Sequence, residues 1–280
     1  MDLAEYRKVS HDVWERLASG WDSWTDVIVE QSGVATEQMV AALSPKPGET
    51  ILELASGAGV GGFAAAAVMG GEGRLIMTDF AEHMVDAMRR RGADLGFDNI
   101  EYRVMDAEQM DLGDDSVDGV LCRWGYMLMA DPAAALRETR RVLRPGGRLS
   151  FSVWGAPQDN PWGVIPAQVL VERGHMEPPQ SDAPGIFALG DPGRIEALVT
   201  GAGFESPQLE EVRLTWNYVD FAHFWSFLTE AAGGIAFVFA QLDDRETAEV
   251  RADIETRVEQ YKTSNGSYDM PGACINGLTR

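Results

Sequence analysis

Apolar and polar positions along this chain alternate between two periods, one of short buried runs and one of helical stripes. Residues 50–55, TILELA, form an apolar run between Gly48 and a glycine-rich stretch, as expected for a strand covered on both faces. The Ala-rich segment 60–69 follows as a helix. Residues 74–79 predict a second strand and 82–95 a second helix, with Met84, Ala87 and Met88 sharing the face that core packing needs. A third cycle predicts strands at 100–105 and 116–122. Asp131 before Pro132 caps a helix through Val142, because its carboxylate accepts an otherwise unpaired amide hydrogen and proline suits the first turn. LRPGGRL, residues 143–149, ends that helix and enters a strand over 149–154. Strands alternating with helices predict an α/β fold with a largely parallel sheet covered on both faces.

The flanks read differently. Residues 1–46 are helical and aromatic, which predicts an amino-terminal helical lid on a core spanning 47–280. Prolines across 155–190 predict a long crossover or cover. A helix over 192–200 then precedes a strand near 209–216, two helices over 219–232 and 243–261 form a helical insertion at 219–264, and a strand at 273–278 closes the chain. With no long polar linker, these are additions to one core.

Composition narrows the class of partner. The 280 residues are 45% hydrophobic, enough for a substantial core, and 44 acidic against 23 basic side chains give a net charge of −21. That charge disfavours nucleic acid as the main partner. Two cysteines, Cys122 and Cys274, suit reduced thiols rather than a disulfide scaffold. With no apolar signal core in MDLAEYRKVSHDVWERL and no run long enough to span a bilayer, the expectation is a cytoplasmic protein without stable membrane insertion.

The sharpest chemistry sits after the first strand. In Glu53-Leu54-Ala55-Ser56-Gly57-Ala58-Gly59-Val60-Gly61-Gly62, small residues let the backbone turn tightly beside a ligand, while the next helix offers free amides and its positive end. Gly57, Gly59 and Gly62 also match the dinucleotide fingerprint, so the turn alone leaves a nicotinamide-dependent oxidoreductase open. Asp79, ending the second strand, can accept hydrogen bonds from both ribose hydroxyls of an adenosine-containing ligand; it can equally cap the helix at Glu82. Asp106 can accept from an adenine amino group. The four histidines and two cysteines form no zinc motif, so no metal is expected.

Taken together, ILELASGAG, LIMTDFAEHMVDAM, YRVMDAEQMDLGDDSVDGVLC and RVLRPGGRL resemble the class I S-adenosylmethionine-dependent methyltransferases, in the branch related to ubiquinone and menaquinone biosynthesis. The resemblance covers about residues 49–154. It implies a Rossmann-like, seven-stranded, mostly parallel sheet with an antiparallel final strand, and S-adenosyl-L-methionine as donor with S-adenosyl-L-homocysteine as product. It carries donor binding to Glu53, Ala55, Ser56, Gly57, Ala58, Gly59, Asp79, Phe80, Met84, Asp106, Ala107, Glu108 and Arg123, the last at the methionine end. Ala55 stands where the family's turn has its first glycine.

The implied reaction is methyl transfer to a small-molecule acceptor, aromatic or hydrophobic, by direct in-line displacement. A noncatalytic protein that only binds the donor is the other alternative. Trp21, Trp24, Trp124, Tyr126, Trp154 and Trp162 are the candidate acceptor-binding residues, although aromatic side chains serve ordinary packing equally well. His11 and His175 are the candidate bases, since neutral imidazole accepts a proton near physiological pH. Neither has an acidic orienting partner identifiable in the sequence.

Overall fold

The computed structural model describes residues 2–180 and 183–280. Seven strands form one sheet in the order β3-β2-β1-β4-β5-β7-β6. The left half comes from β1 (Thr50–Leu54), β2 (Arg74–Asp79) and β3 (Ile100–Val104), the right from β4 (Val117–Arg123), β5 (Leu143–Trp154), β6 (Gln208–Tyr218) and β7 (Tyr268–Thr279). Neighbours from β3 through β5 pair in parallel, whereas β7 runs antiparallel to both β5 and β6. The strand order, which runs outward to β3 on one side and toward β5 on the other, switches between the parallel β1 and β4, so the carboxyl ends of these two strands flank a crevice.

The alternation built this as its residues require. Helix α2 (Val60–Met69) and helix α3 (Glu82–Leu95) follow β1 and β2 at the expected positions. Asp131 caps α4 (Pro132–Val142) by accepting from the Ala134 amide at 2.9 Å. Two strand limits differ from expectation. β5 begins at Leu143, where Val117 pairs with Leu143 before the register jumps to Gly119 with Arg148, so RPGG is absorbed in a bulge. β7 reaches back to Tyr268 through Pro271: β5 pairs only with Cys274 onward, so a proline at 271 faces no partner on that side.

The flanks needed long-range packing to declare themselves. Residues 3–43 are a single helix, α1 (Leu3–Leu43), about 60 Å long. Its carboxyl half lies on the sheet, burying Ile28, Ala35, Met39 and Leu43. Its amino half projects past the carboxyl ends of the strands. Glu15 accepts from the His83 amide at 3.3 Å, and Arg90 pairs with Asp22 at 3.1 Å, holding that half against α3.

The stretch expected as a crossover contains a helix, α5 (Pro161–Glu172), with Pro161 in its first turn and Pro166 inside it. Helix α6 (Pro192–Gly201) then leads to β6. Between β6 and β7 lie three helices rather than two, α7 (Phe221–Glu230), α8 (Gly234–Phe239) and α9 (Asp244–Val258). The break before α8 falls at Gly233, whose φ of +55° suits glycine.

Candidate active site

One large cavity opens at the carboxyl ends of β1, β2 and β4, beneath the amino half of α1. It encloses about 1330 Å³ counting the open space at its mouth. That space has two chemically distinct ends.

The polar end is the turn after β1 with the strand ends beside it. Ala55 and Gly57 take left-handed backbone, φ +48° and +54°. Ala55 tolerates that conformation beside Gly125, where an added β-carbon would come within 2.7 Å of the Ala55 methyl. The turn is tied to β2 through Asp79, whose carboxylate accepts from the Gly57 amide at 2.9 Å and the Ala81 amide at 3.0 Å. Burial pushes the Asp79 carboxyl up to about 6 despite those bonds.

Glu53 is buried more completely and is pushed up to about 8, against the opposing pull of neighbouring Arg123. Its carboxylate lies against the first turn of α2. A β-carbon on Gly61 or Gly62 would come within 2.5 Å of its oxygens, so glycine is needed there. One of those oxygens has no hydrogen-bond partner, and its residue lines the cavity. Next along the edge, Asp106 pairs with Arg7 of α1 at 3.3 Å, while Glu108 accepts from the Ala130 amide at 2.8 Å and also pairs with Arg7.

The other end is a wall of aromatic rings. Trp124 stacks on Trp154 at 4.1 Å between centroids, Trp154 meets Trp162 at 4.9 Å, and Trp216 stacks on Phe227 at 5.9 Å. Trp21 and Trp14 of α1 pack edge to face at 5.7 Å and join the lining. Arg123 stands between the two ends, its guanidinium 3.5 Å from the Trp124 ring centroid and one of its nitrogens donating to Ser32 of α1.

The structure gathers most of the expected residues at this cavity. Glu53, Ala55, Ser56, Gly57, Asp79, Phe80, Met84, Asp106, Ala107, Glu108 and Arg123 line it, as do Trp21, Trp124, Trp154 and Trp162. Ala58 and Gly59 lie behind the turn, with Phe63 and Met77 packed where a Gly59 side chain would be. Trp24 is buried away from the lining, donating to Glu230 at 2.8 Å and stacking on His223. Tyr126 is outside the lining, edge-on to Phe151 and bonded to the Thr139 hydroxyl at 2.7 Å.

Neither histidine reaches the cavity. His11 sits edge-on to Phe80 near Asp12 and Glu15, and His175 follows α5 with its amide bonded to the Leu170 carbonyl. Trp216, Phe227 and Arg7 join the lining without having been singled out. Trp216 had a signal, since Val212, Leu214, Trp216 and Tyr218 alternate with exposed residues along β6. What the pattern lacks is the sheet order that brings Trp216 within 6.4 Å of Trp124.

A Rossmann-like sheet with this glycine turn and acidic strand ends at the switch point defines a class I methyltransferase scaffold. The ubiE/COQ5 methyltransferase family model matches residues 1–157, and the chain belongs to that family. It is 30% identical over 215 residues to the ubiquinone/menaquinone biosynthesis C-methyltransferase UbiE of Acidiphilium cryptum, covering 72% of this chain and 84% of that one. Demethylmenaquinone methyltransferase of Clavibacter sepedonicus is 35% identical over 156 residues, 56% of this chain and 57% of its own. Arsenite methyltransferase of Halobacterium salinarum is 34% identical over 179 residues, 63% of this chain and 42% of its own. The chain thus spans about half the length of these last two relatives. The YcgJ protein of Bacillus subtilis shares the fold, with a TM-score of 0.59 at 19% identity over 89% of this chain and 99% of that one. Among the described residues no helix is long and apolar enough to cross a membrane.

Proposed function

We propose that this protein transfers a methyl group from S-adenosylmethionine to a planar, largely apolar small molecule, and that the two ends of the cavity divide the work. The observation that carries this reading is one continuous cavity lined at one end by the glycine turn and acidic side chains and at the other by tryptophans. Four features suit the donor: the left-handed turn at Ala55 and Gly57, the buried Asp79, the orphaned Glu53 oxygen and Asp106 at the end of β3. The donor supplies an electrophilic methyl carbon on a sulfonium.

Each part of the chain has its share in that reaction. Asp79 accepts from the ribose hydroxyls while its backbone bonds fix the turn. Asp106 accepts from the adenine amino group. Glu53, with an oxygen free, receives the ammonium of the methionine end, and a positive charge there draws its raised carboxyl toward ionisation. The rings of Trp124, Trp154, Trp162 and Trp216 stack against the acceptor, and the amino half of α1, through Trp14 and Trp21, closes over both ligands. Holding the nucleophile, methyl carbon and sulfur in line supplies much of the acceleration, and excluding water protects the sulfonium.

Incubation with methyl-labelled S-adenosylmethionine and a panel of aromatic and hydrophobic metabolites tests this reading. Label is expected in a planar aromatic product, with S-adenosylhomocysteine formed in equal amount. Binding of nicotinamide dinucleotides in preference to S-adenosylhomocysteine, or binding of the latter with no methyl transfer to any of the panel, contradicts it.

A further inference from the structure

Resting on the reading above, we infer that Arg123 is an anion-receiving residue for the acceptor, selecting an aromatic compound with an acidic hydroxyl and holding it as the oxyanion. The side chain is about nine-tenths buried, yet among the described residues no carboxylate oxygen lies within 4.0 Å of its guanidinium. Its only hydrogen-bond partner there is a neutral hydroxyl, Ser32 of α1, and its Nε has none. A buried guanidinium with no carboxylate in contact is suited to receive an anion.

Its surroundings fix where that anion arrives. Glu53 on β1 faces it from the polar end, Cys274 from β7, Ser32 from α1, and Ser152 pairs with it in register on β5. Burial lowers the guanidinium to about 10, leaving it charged at neutral pH. Its stacking on Trp124, which stacks in turn on Trp154, puts the charge at the end of the aromatic wall. A flat ring lying on that wall would carry its oxygen to Arg123.

Among the described residues no histidine lines the cavity, and this placement requires none. On binding, the acceptor's O–H bond breaks and its proton leaves to water through the open mouth. With oxygen as the attacking atom, the electron pair left behind forms the bond to the donor's methyl carbon while the carbon–sulfur pair passes to sulfur. The negative charge of the oxyanion and the positive charge of the sulfonium cancel in two neutral products. No protein base is required.

The probe is 4-nitrophenol, whose phenolate absorbs visibly, titrated with wild-type protein, Arg123→Met and Arg123→Lys, each saturated with S-adenosylhomocysteine. The expected result is an ionisation constant raised at least about tenfold for the probe bound to wild type, retained in Arg123→Lys and lost in Arg123→Met. Uncharged nitrobenzene should bind wild type at least about tenfold more weakly than 4-nitrophenol, a comparison that needs no variant. A bound probe that ionises as it does in water, or equally in wild type and Arg123→Met, overturns the inference. So does a tenfold loss of S-adenosylhomocysteine affinity in Arg123→Met with the probe's ionisation unchanged, which assigns the residue to the donor's carboxylate instead. Those results leave the methyltransferase reading standing, whereas failure of wild type to bind S-adenosylhomocysteine removes both.

Discussion

The polar end of the cavity is assembled from residues 53–108, where each strand hands its terminal side chains to the adjoining turn. The aromatic end joins Trp124, just past β4, to Trp154, Trp162, Trp216 and Phe227 of β5, α5, β6 and α7, across a sheet whose order is not the order of the chain. Local connectivity fixes one end, and tertiary packing fixes the other. On the proposed reading, the polar end keeps the donor while substitutions at the aromatic end change the acceptor.

That contrast breaks most visibly if the aromatic wall also supports the fold. Trp216 is fully buried and touches Trp124, Trp154, Trp162 and Phe227, so Trp216→Ala should cost about 3–5 kcal/mol in denaturant unfolding. Trp216→Phe keeps most of the packing and should alter acceptor kcat/KM with little change in donor affinity. An equal loss of donor affinity in the Phe variant would show that the two ends are not separable.

At the polar end, Asp79→Asn replaces an ionised acceptor by a neutral amide. Hydrogen bonds to charged groups contribute about 1.5–3 kcal/mol, so donor affinity should fall roughly ten- to a hundredfold by calorimetry. Unchanged affinity would reduce Asp79 to a brace for the turn.

Glu53 sharpens the same end through pH. Its folded-state value is raised from 4.5 to about 8, so the stability associated with its neutral form is full below about pH 4.5 and is lost as pH rises through 8. Glu53→Gln should therefore raise Tm over wild type at pH 9, by about 2–4 °C for each kcal/mol relieved, and leave it unchanged at pH 4. A variant no more stable at pH 9 than at pH 4, relative to wild type, would contradict the buried-carboxyl account.

The smallest effect belongs to Ala55→Gly. Relief of a left-handed alanine is set against the added freedom of glycine in the unfolded chain, so thermal unfolding should change by no more than about 1 kcal/mol. A larger loss would mean that the Ala55 methyl against Gly125 is itself a needed contact.

Legibility followed the same division. Strands β1 and β2, helices α2 and α3 and the acidic strand ends were readable because period, glycine and caps all lie within a few residues of what they shape. Trp24 and Tyr126 fall outside the lining because an aromatic residue in a buried element carries no sign of which neighbours it will meet; Glu230 and His223 decide that for Trp24 from far along the chain, and Thr139 of α4 for Tyr126. Helix α5 was hidden by Pro161 and Pro166, which read as breakers although one opens the helix and the other is carried within it. His11 and His175 were chosen for their chemistry alone, and packing left them outside.

The most direct test of this two-ended cavity is calorimetric titration of S-adenosylhomocysteine into wild type, Asp79→Asn and Trp216→Phe under identical conditions. Binding to wild type, a loss of at least about tenfold in Asp79→Asn and retained affinity in Trp216→Phe are the predicted results. No binding to wild type, or equal weakening in both variants, would contradict it.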